Sequence, residues 1–497
     1  MRKLASWLLL FLIMLFPSII KDAQAGESNF SLGLSVDSQQ ALGQTVRGTG
    51  KEKDLTYSFY YKYWGKTGIT IKNKNVFWQG KTELKWLKPD GRQERISLSR
   101  EKSSEKDVPG SLFPQWPEIR DLTVDNLEFN SKKGKESFRL YWQRENRERE
   151  TPWWPAEDKK RSNLKFAQSS LNNYLLSSDW TEEKQLDKAS LIRKKIFLVR
   201  EWTDYSIVEK NGGQPLESLA TRQLFRGYLG MEGEKKIASN NSLAWSGKLD
   251  FHSLYAPSMQ GETKLSWYLT PATQLTLRTG LRTIFPNSRQ LWGTNLRSGS
   301  SVYLSSDQLS PERRQELELG LKQRLDEKDS YLNLRFYDYK IKDYIAYKRT
   351  AYPAVTVRQF SNFPEVHWQG VELGLKKYLA DNLHLNWVHN HQYFGDPTTG
   401  KIIAYRPSDA GRWELIYNNQ DSLRLVIGNR YEGKRYTDDE NKAFLKPYNL
   451  SYLYLSTQVT DDIKANLKVD NFLGRNVDDG NKVWQEPFYT MEIEKKF

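Results

Sequence analysis

Between Pro311 and Phe394 apolar and polar positions alternate in runs interrupted by polar breaks. In the first run Leu317, Leu319, Leu321 and Leu325 share one side, opposite Glu316, Glu318, Lys322 and Arg324. After the break at 326–329, Leu332, Leu334 and Phe336 oppose Asn333, Arg335 and Tyr337. Val371, Leu373, Leu375 and Leu379 then oppose Glu372, Lys376 and Tyr378. Beyond 380–382, Leu383, Leu385 and Trp387 oppose His384, Asn386 and Asn390. Successive side chains of a strand point to opposite faces, so a period of two predicts strands with one oily and one wet face.

The same pattern predicts strands at 30–36, 57–64, 70–77, 82–87, 94–98, 122–129 and 138–142, with turns at 89–92 and 132–135. Polar stretches at 101–118 and 144–161 read as long connections. The pattern is faint over 162–236, where 170–188 suits a helix or a strand and is taken as strand. It sharpens again with Leu265, Trp267 and Leu269, then Leu275, Leu277 and Leu281 against Arg278 and Arg282. Leu423, Leu425 and Ile427 likewise oppose Arg424 and Arg430.

The breaks alternate in length. Short ones fall at 271–274, 326–329, 380–382, 418–421 and 460–462; long ones fall at 283–310, 343–365, 395–410, 431–446 and 474–486. Short turns on one rim and long loops on the other predict an all-β chain, a transmembrane antiparallel β-barrel with short periplasmic turns and long extracellular loops. The number of runs suggests about 22 strands, the size of an outer-membrane transporter. Tyr489, Met491 and Ile493 share a face with the terminal Phe497, as suits a closing strand.

Composition agrees. The chain is hydrophilic on average, yet aromatic residues make up 13% of it, which excludes a disordered polymer. In a barrel only alternate residues face lipid, while aromatic girdles mark both interfaces. Met1-Arg2-Lys3, the apolar stretch 4–20 and Ala23-Gln24-Ala25 read as a signal peptide over 1–25. The expected mature chain, 26–497, forms one barrel domain exported to the cell outer membrane. It holds no apolar run of 18 residues, so no spanning helix is expected. Without cysteine it has neither disulfides nor thiolate metal sites. The net charge of +14 would suit nucleic acid, but export excludes that partner. Acidic outer-membrane lipid, or a small anionic or chelate solute, remains.

Several stretches resemble the β-barrel of TonB-dependent outer-membrane receptors. Gly280–Asn287, with Leu291 after it, is similar to the family's glycine–phenylalanine–arginine–x–proline segment. Leu309-Ser310-Pro311-Glu312, with Glu316 and Glu318-Leu319-Gly320-Leu321, resembles its L-x-P-E…E-x-G element. Asn362 and Gly370-Val371-Glu372 resemble its N…G-V-E element, and Val469-Asp470-Asn471-Phe472 its closing motif. Val108-Pro109-Gly110 extends the likeness towards the N-terminus. The resemblance implies uptake of a scarce nutrient: a metal chelate, a siderophore or a cobalamin-like molecule. It also implies a plug domain and a TonB-contacting box, but strand-like sequence begins within a few residues of Gly26 and nothing resembles the plug. A separately encoded plug and a TonB-type energy-coupling protein are therefore the partners expected for uptake. A plugless, porin-like diffusion channel and a surface-binding or structural barrel are the alternatives.

No Ser-His-Asp order, carboxylate pair or phosphate loop stands out, so no enzyme, catalytic residue or cofactor is expected. His389 and His391 share a strand face; they could ligate a metal or continue the belt of Leu383, Leu385 and Trp387, and the belt is the favoured reading. The ligand candidates are the lumen-side cations Arg278, Arg282, Lys322, Arg324, Arg424 and Arg430. These could attract anions or brace the wall through cross-strand ion pairs. The loop aromatics Trp116, Trp153 and Trp154 could stack on a ligand or anchor the rim.

Overall fold

The computed structural model describes residues 28–37, 41–52, 54–66, 76–106, 119–153, 165–210, 216–238, 240–292, 296–298, 301–351, 356–419, 422–478, 483–484 and 486–496. The expected signal peptide, Trp116, Trp154, Val108-Pro109-Gly110 and Phe497 lie outside these residues.

Twenty-two antiparallel strands form a closed barrel, as expected from the sequence. Each strand pairs with the next along the chain. The last, Phe488–Lys496, then pairs with the first, Ser28–Asp37, from Ser31↔Lys496 to Asp37↔Thr490. Closure matters because hydrocarbon offers no partner to an exposed backbone N–H or C=O. Among the described residues no helix is long and apolar enough to cross a membrane.

One rim carries only short connections, such as 53–54, 134–135, 188–189, 271–272 and 381–382. The other carries the long ones, including 285–311, 396–408, 433–447 and 471–487. The outward faces are apolar. Leu98, Leu127, Leu229, Leu277, Leu319, Phe336 and Met491 are all exposed, because lipid rather than protein covers them.

Several predicted boundaries move. The loop expected at 343–365 is strand: Tyr331–Ala351 and Thr356–Ala380 form a tall hairpin paired up to Ala351↔Thr356. Here both faces gain protein neighbours, since the successive residues Tyr344 and Ile345 are both buried, so alternation no longer reports a lipid boundary. The polar stretches at 101–118 and 144–161 likewise contain the ends of Gln93–Lys106 and Glu136–Trp153. The faint region 162–236 consists of three long strands, Lys165–Asp187, Ser190–Lys210 and Leu216–Ala238. The strand taken to run over 70–77 is described only from Val76, within Val76–Leu87.

The longest connection, 285–311, turns inward. A short helix at Ser288–Trp292 places Leu291 against Leu224, Leu309 and Ile345, and all four are buried. Further along, Ser301–Leu304 adds in parallel to Thr356–Gln359, covering a strand edge above the barrel wall. This strap therefore joins one side of the mouth to strands several positions away.

Candidate functional site

The wet faces of the strands meet around the lumen. Cross-strand register places Arg278 beside Glu318, with Lys264 on its other flank. Arg278 donates to Glu318 at 2.7 Å, to Glu262 at 2.8 Å and to Glu316 at 3.0 Å. Arg282 donates to Glu262 at 2.8 Å, and its Nε lies 3.2 Å from Glu316. Arg335 extends the network to Glu372 at 2.9 Å, and the Tyr339 hydroxyl donates to Glu318. Two of the six candidate cations are thus held by carboxylates as braces across three strands, in a network that spans five. Arg430 is also paired, with Glu432, which in turn takes Arg435 at 3.1 Å.

Lys322, Arg324 and Arg424 differ. Among the described residues none has a carboxylate within ion-pairing distance. The Lys322 ammonium instead sits 4.6 Å over the Tyr331 ring, which Lys376 approaches at 5.9 Å. Arg324 pairs with Tyr331 in register, and Tyr331 with Lys376. Lys322 and Arg324 end their strand beside the turn 325–330, and Arg424 begins its strand beside 420–422. The unpaired positive charge therefore gathers near the short-turn rim, below the arginine–carboxylate network. Arg278, Arg282 and Arg430 are therefore engaged by carboxylates, while Lys322, Arg324 and Arg424 stand outside those pairs.

The strap covers the opposite end of the lumen. Ser288 donates to Glu201, which is 5% exposed and also accepts from Asn173 at 3.2 Å. Arg289 donates to Glu145 at 3.0 Å. Burial, with Arg147 alongside, holds the Arg289 guanidinium below its ordinary range while Glu145 partly offsets this. Hydrophobic spacing gave no hint of these contacts, because the strap's partners lie on strands far from it in sequence.

Residues of separate motifs meet beside the strap. Asn362 accepts from the Ser310 amide at 2.8 Å and donates back to the Ser310 carbonyl at 2.9 Å. It also donates to the carbonyl of Asp343, whose φ is +56°. Glu312 accepts from the Ile345 amide at 3.0 Å and from Arg314 at 2.8 Å. The L-x-P-E and N…G-V-E stretches therefore clamp the root of the strap to the tall hairpin.

His389 and His391 lie on the outward face, where His391 Nδ1 is 2.7 Å and His389 Nε2 3.9 Å from Asp409. Trp387 stacks on His389 at 6.4 Å. Among the described residues no group of three or more His, Cys, Asp or Glu could hold a metal ion. Trp153 ends its strand in register with Lys165, at the long-loop rim.

A family profile described as "TonB dependent receptor-like, beta-barrel" matches residues 200–472. No curated protein matches in sequence. Among solved structures, the copper transporter OprC is similar with a TM-score of 0.77 at 12% identity, over 95% of this chain and 80% of that one. A ferric enterobactin receptor, PfeA, from Pseudomonas aeruginosa is similar with a TM-score of 0.70 at 14% identity, over 95% and 81%. The siderophore receptor PirA from Acinetobacter baumannii gives 0.70 at 13% identity, over 95% and 80%.

Proposed function

From the premise that this chain belongs to the TonB-dependent receptor-like β-barrel family, we propose that it takes up a scarce metal chelate, siderophore or cobalamin-like solute across the outer membrane. The family is one of transporters and receptors rather than enzymes, and its barrels reside in the outer membrane. In this reading a separately encoded plug closes the lumen and a TonB-type protein supplies energy. The observation that carries it is closure at 22 strands, a diameter at which an unobstructed lumen would leak small solutes. The unpaired cations Lys322, Arg324 and Arg424 suit an anionic chelate or an acidic plug surface.

Purification from the native membrane followed by planar-bilayer recording tests this. The barrel should retain a stoichiometric soluble polypeptide, conduct when stripped of it and fall silent when it is restored. A steady current with no retained polypeptide would overturn coupled uptake in favour of a passive pore.

One observation favours a second reading, the loop-occluded channel: the strap 285–311 is anchored to Glu145, Glu201 and Leu224 across the mouth. A stripped barrel that conducts only after 293–307 is deleted would support it.

A further inference from the structure

The outer wall is not uniformly apolar. On Val76–Leu87, Gln93–Lys106, Ile119–Lys133 and Glu136–Trp153, one outward row reads Thr82, Leu98, Leu127, Trp142. The next row reads Gly80, Arg100, Asp125, Arg144, and the one beyond reads Trp78, Lys102, Thr123, Asn146. These two polar rows enclose an open cavity of about 390 Å³. Arg100 is engaged by Asp125, with Nη2 to Oδ2 at 3.1 Å. Lys102 and Arg144 have no carboxylate in ion-pairing range among the described residues. Arg144 Nε and Asn146 Oδ1 are also shut off from solvent without a hydrogen-bond partner.

An unpaired cation on a lipid-facing wall is costly at the bilayer midplane and becomes tolerable near the interface. Neighbouring rings mark that level: Arg144 lies 5.8 Å over Tyr174, which stacks at 5.3 Å on Trp202, and Trp78 meets Tyr61 edge-on at 5.9 Å. Tyrosine and tryptophan gather where apolar wall meets headgroups. Asp121 and Glu148 stand one row further out, so an anion is favoured only on the side next to the apolar rows. Across the barrel the outward wall carries Asp338, Gln369, His391 and Asp409 next to its apolar rows, with the cations Arg313 and Lys340 only further out. The basic cavity therefore belongs to one sector of the wall.

We propose that this cavity binds the phosphorylated headgroup of an outer-leaflet lipid. Arg144 and Lys102 take the phosphate, and the acyl chains lie along Leu98, Leu127 and Trp142. A guanidinium matches phosphate geometry with paired donors, and the ammonium adds a second charge. This inference rests on the barrel spanning a membrane and is independent of what the lumen carries.

The test uses the full barrel in phosphatidylcholine nanodiscs doped with bis-phosphorylated lipid A or its dephosphorylated counterpart. Lipid retained after detergent exchange is counted by native mass spectrometry. The wild type should retain the phosphorylated form about tenfold over the other. Lys102→Gln with Arg144→Gln should abolish that preference, while Arg313→Gln with Lys340→Gln, across the outer wall, should keep it. Heat-modifiable gel mobility confirms folding of each variant. Equal retention of the phosphorylated form by wild type and the Lys102/Arg144 variant would overturn the proposal. Complete displacement by millimolar inorganic phosphate would also overturn it, marking a soluble-anion site instead.

Discussion

Arg278 shows what a single residue holds together. Its guanidinium satisfies three carboxylates at 3.0 Å or less, and its side chain is only 19% exposed. Arg278→Met would leave Glu262, Glu316 and Glu318 crowded with like charge, at a cost of about 3–5 kcal/mol. Arg282, 44% exposed, shares two of these partners, and Arg282→Met should cost about 1 kcal/mol or less. Urea midpoints of the refolded barrel in detergent separate the two, and equal losses would remove Arg278 as the hub. On the other face, Leu319→Arg puts a charge where 43% of the side chain meets lipid, and should cost about 2–4 kcal/mol by the same measurement. Which face each of these residues occupies was legible in the sequence, because lipid enforces strict alternation. Which cations were already paired was not: Glu262 and Glu316 reach Arg278 from neighbouring strands, and register across strands is not written in either strand alone.

At the scale of elements, legibility fails where side chains stop alternating. Ala41–Glu52 is a full strand with no oily face to read, because Gly48 and Gly50 sit opposite Phe59 and Tyr57. A Cβ at Gly48 would come within 2.3 Å of the Phe59 ring, and one at Gly50 equally close to Tyr57. The aromatic rings of the next strand cover the glycines, so the apolar surface is supplied from outside the strand's own sequence. The short turns were legible because their polar residues do a local job. Asp326 accepts from the Lys328 and Ser330 amides at 3.0 and 3.1 Å and from Lys377 at 2.8 Å. The Lys377 ammonium, then Ser330, holds the Asp326 carboxyl well below the usual carboxylate range. A depressed folded pKa gives stability that is present above the unfolded value, about 3.9, and is lost as pH falls through the folded one. Hydrogen-exchange protection at the Ser330 amide, corrected for intrinsic rate, should therefore hold from neutral pH to about pH 4 and decline only below it. In Asp326→Asn that acid-dependent decline should vanish; an unchanged profile would assign the acid sensitivity to another group.

The whole molecule sets its charge along the pore axis. Near the long-loop rim the strap is tied down by Glu145 and Glu201, and mid-lumen charges largely cancel through Arg278, Arg282 and their carboxylates. Towards the short-turn rim Lys322, Arg324 and Arg424 keep their charge, with Lys322 resting on Tyr331. An uncompensated arc of cations at one end of a narrow, low-dielectric passage raises the local concentration of anions. With 293–307 deleted to open the mouth, the stripped barrel in a potassium chloride gradient should show a reversal potential on the chloride side. Lys322→Glu with Arg424→Glu should move that potential towards the potassium side, since each change replaces an unpaired cation with an anion. Arg282→Gln should move it far less, because that charge is already spent on Glu262 and Glu316. A potassium-selective parent barrel, or equal shifts from both sets of changes, would place the selective charge elsewhere along the lumen.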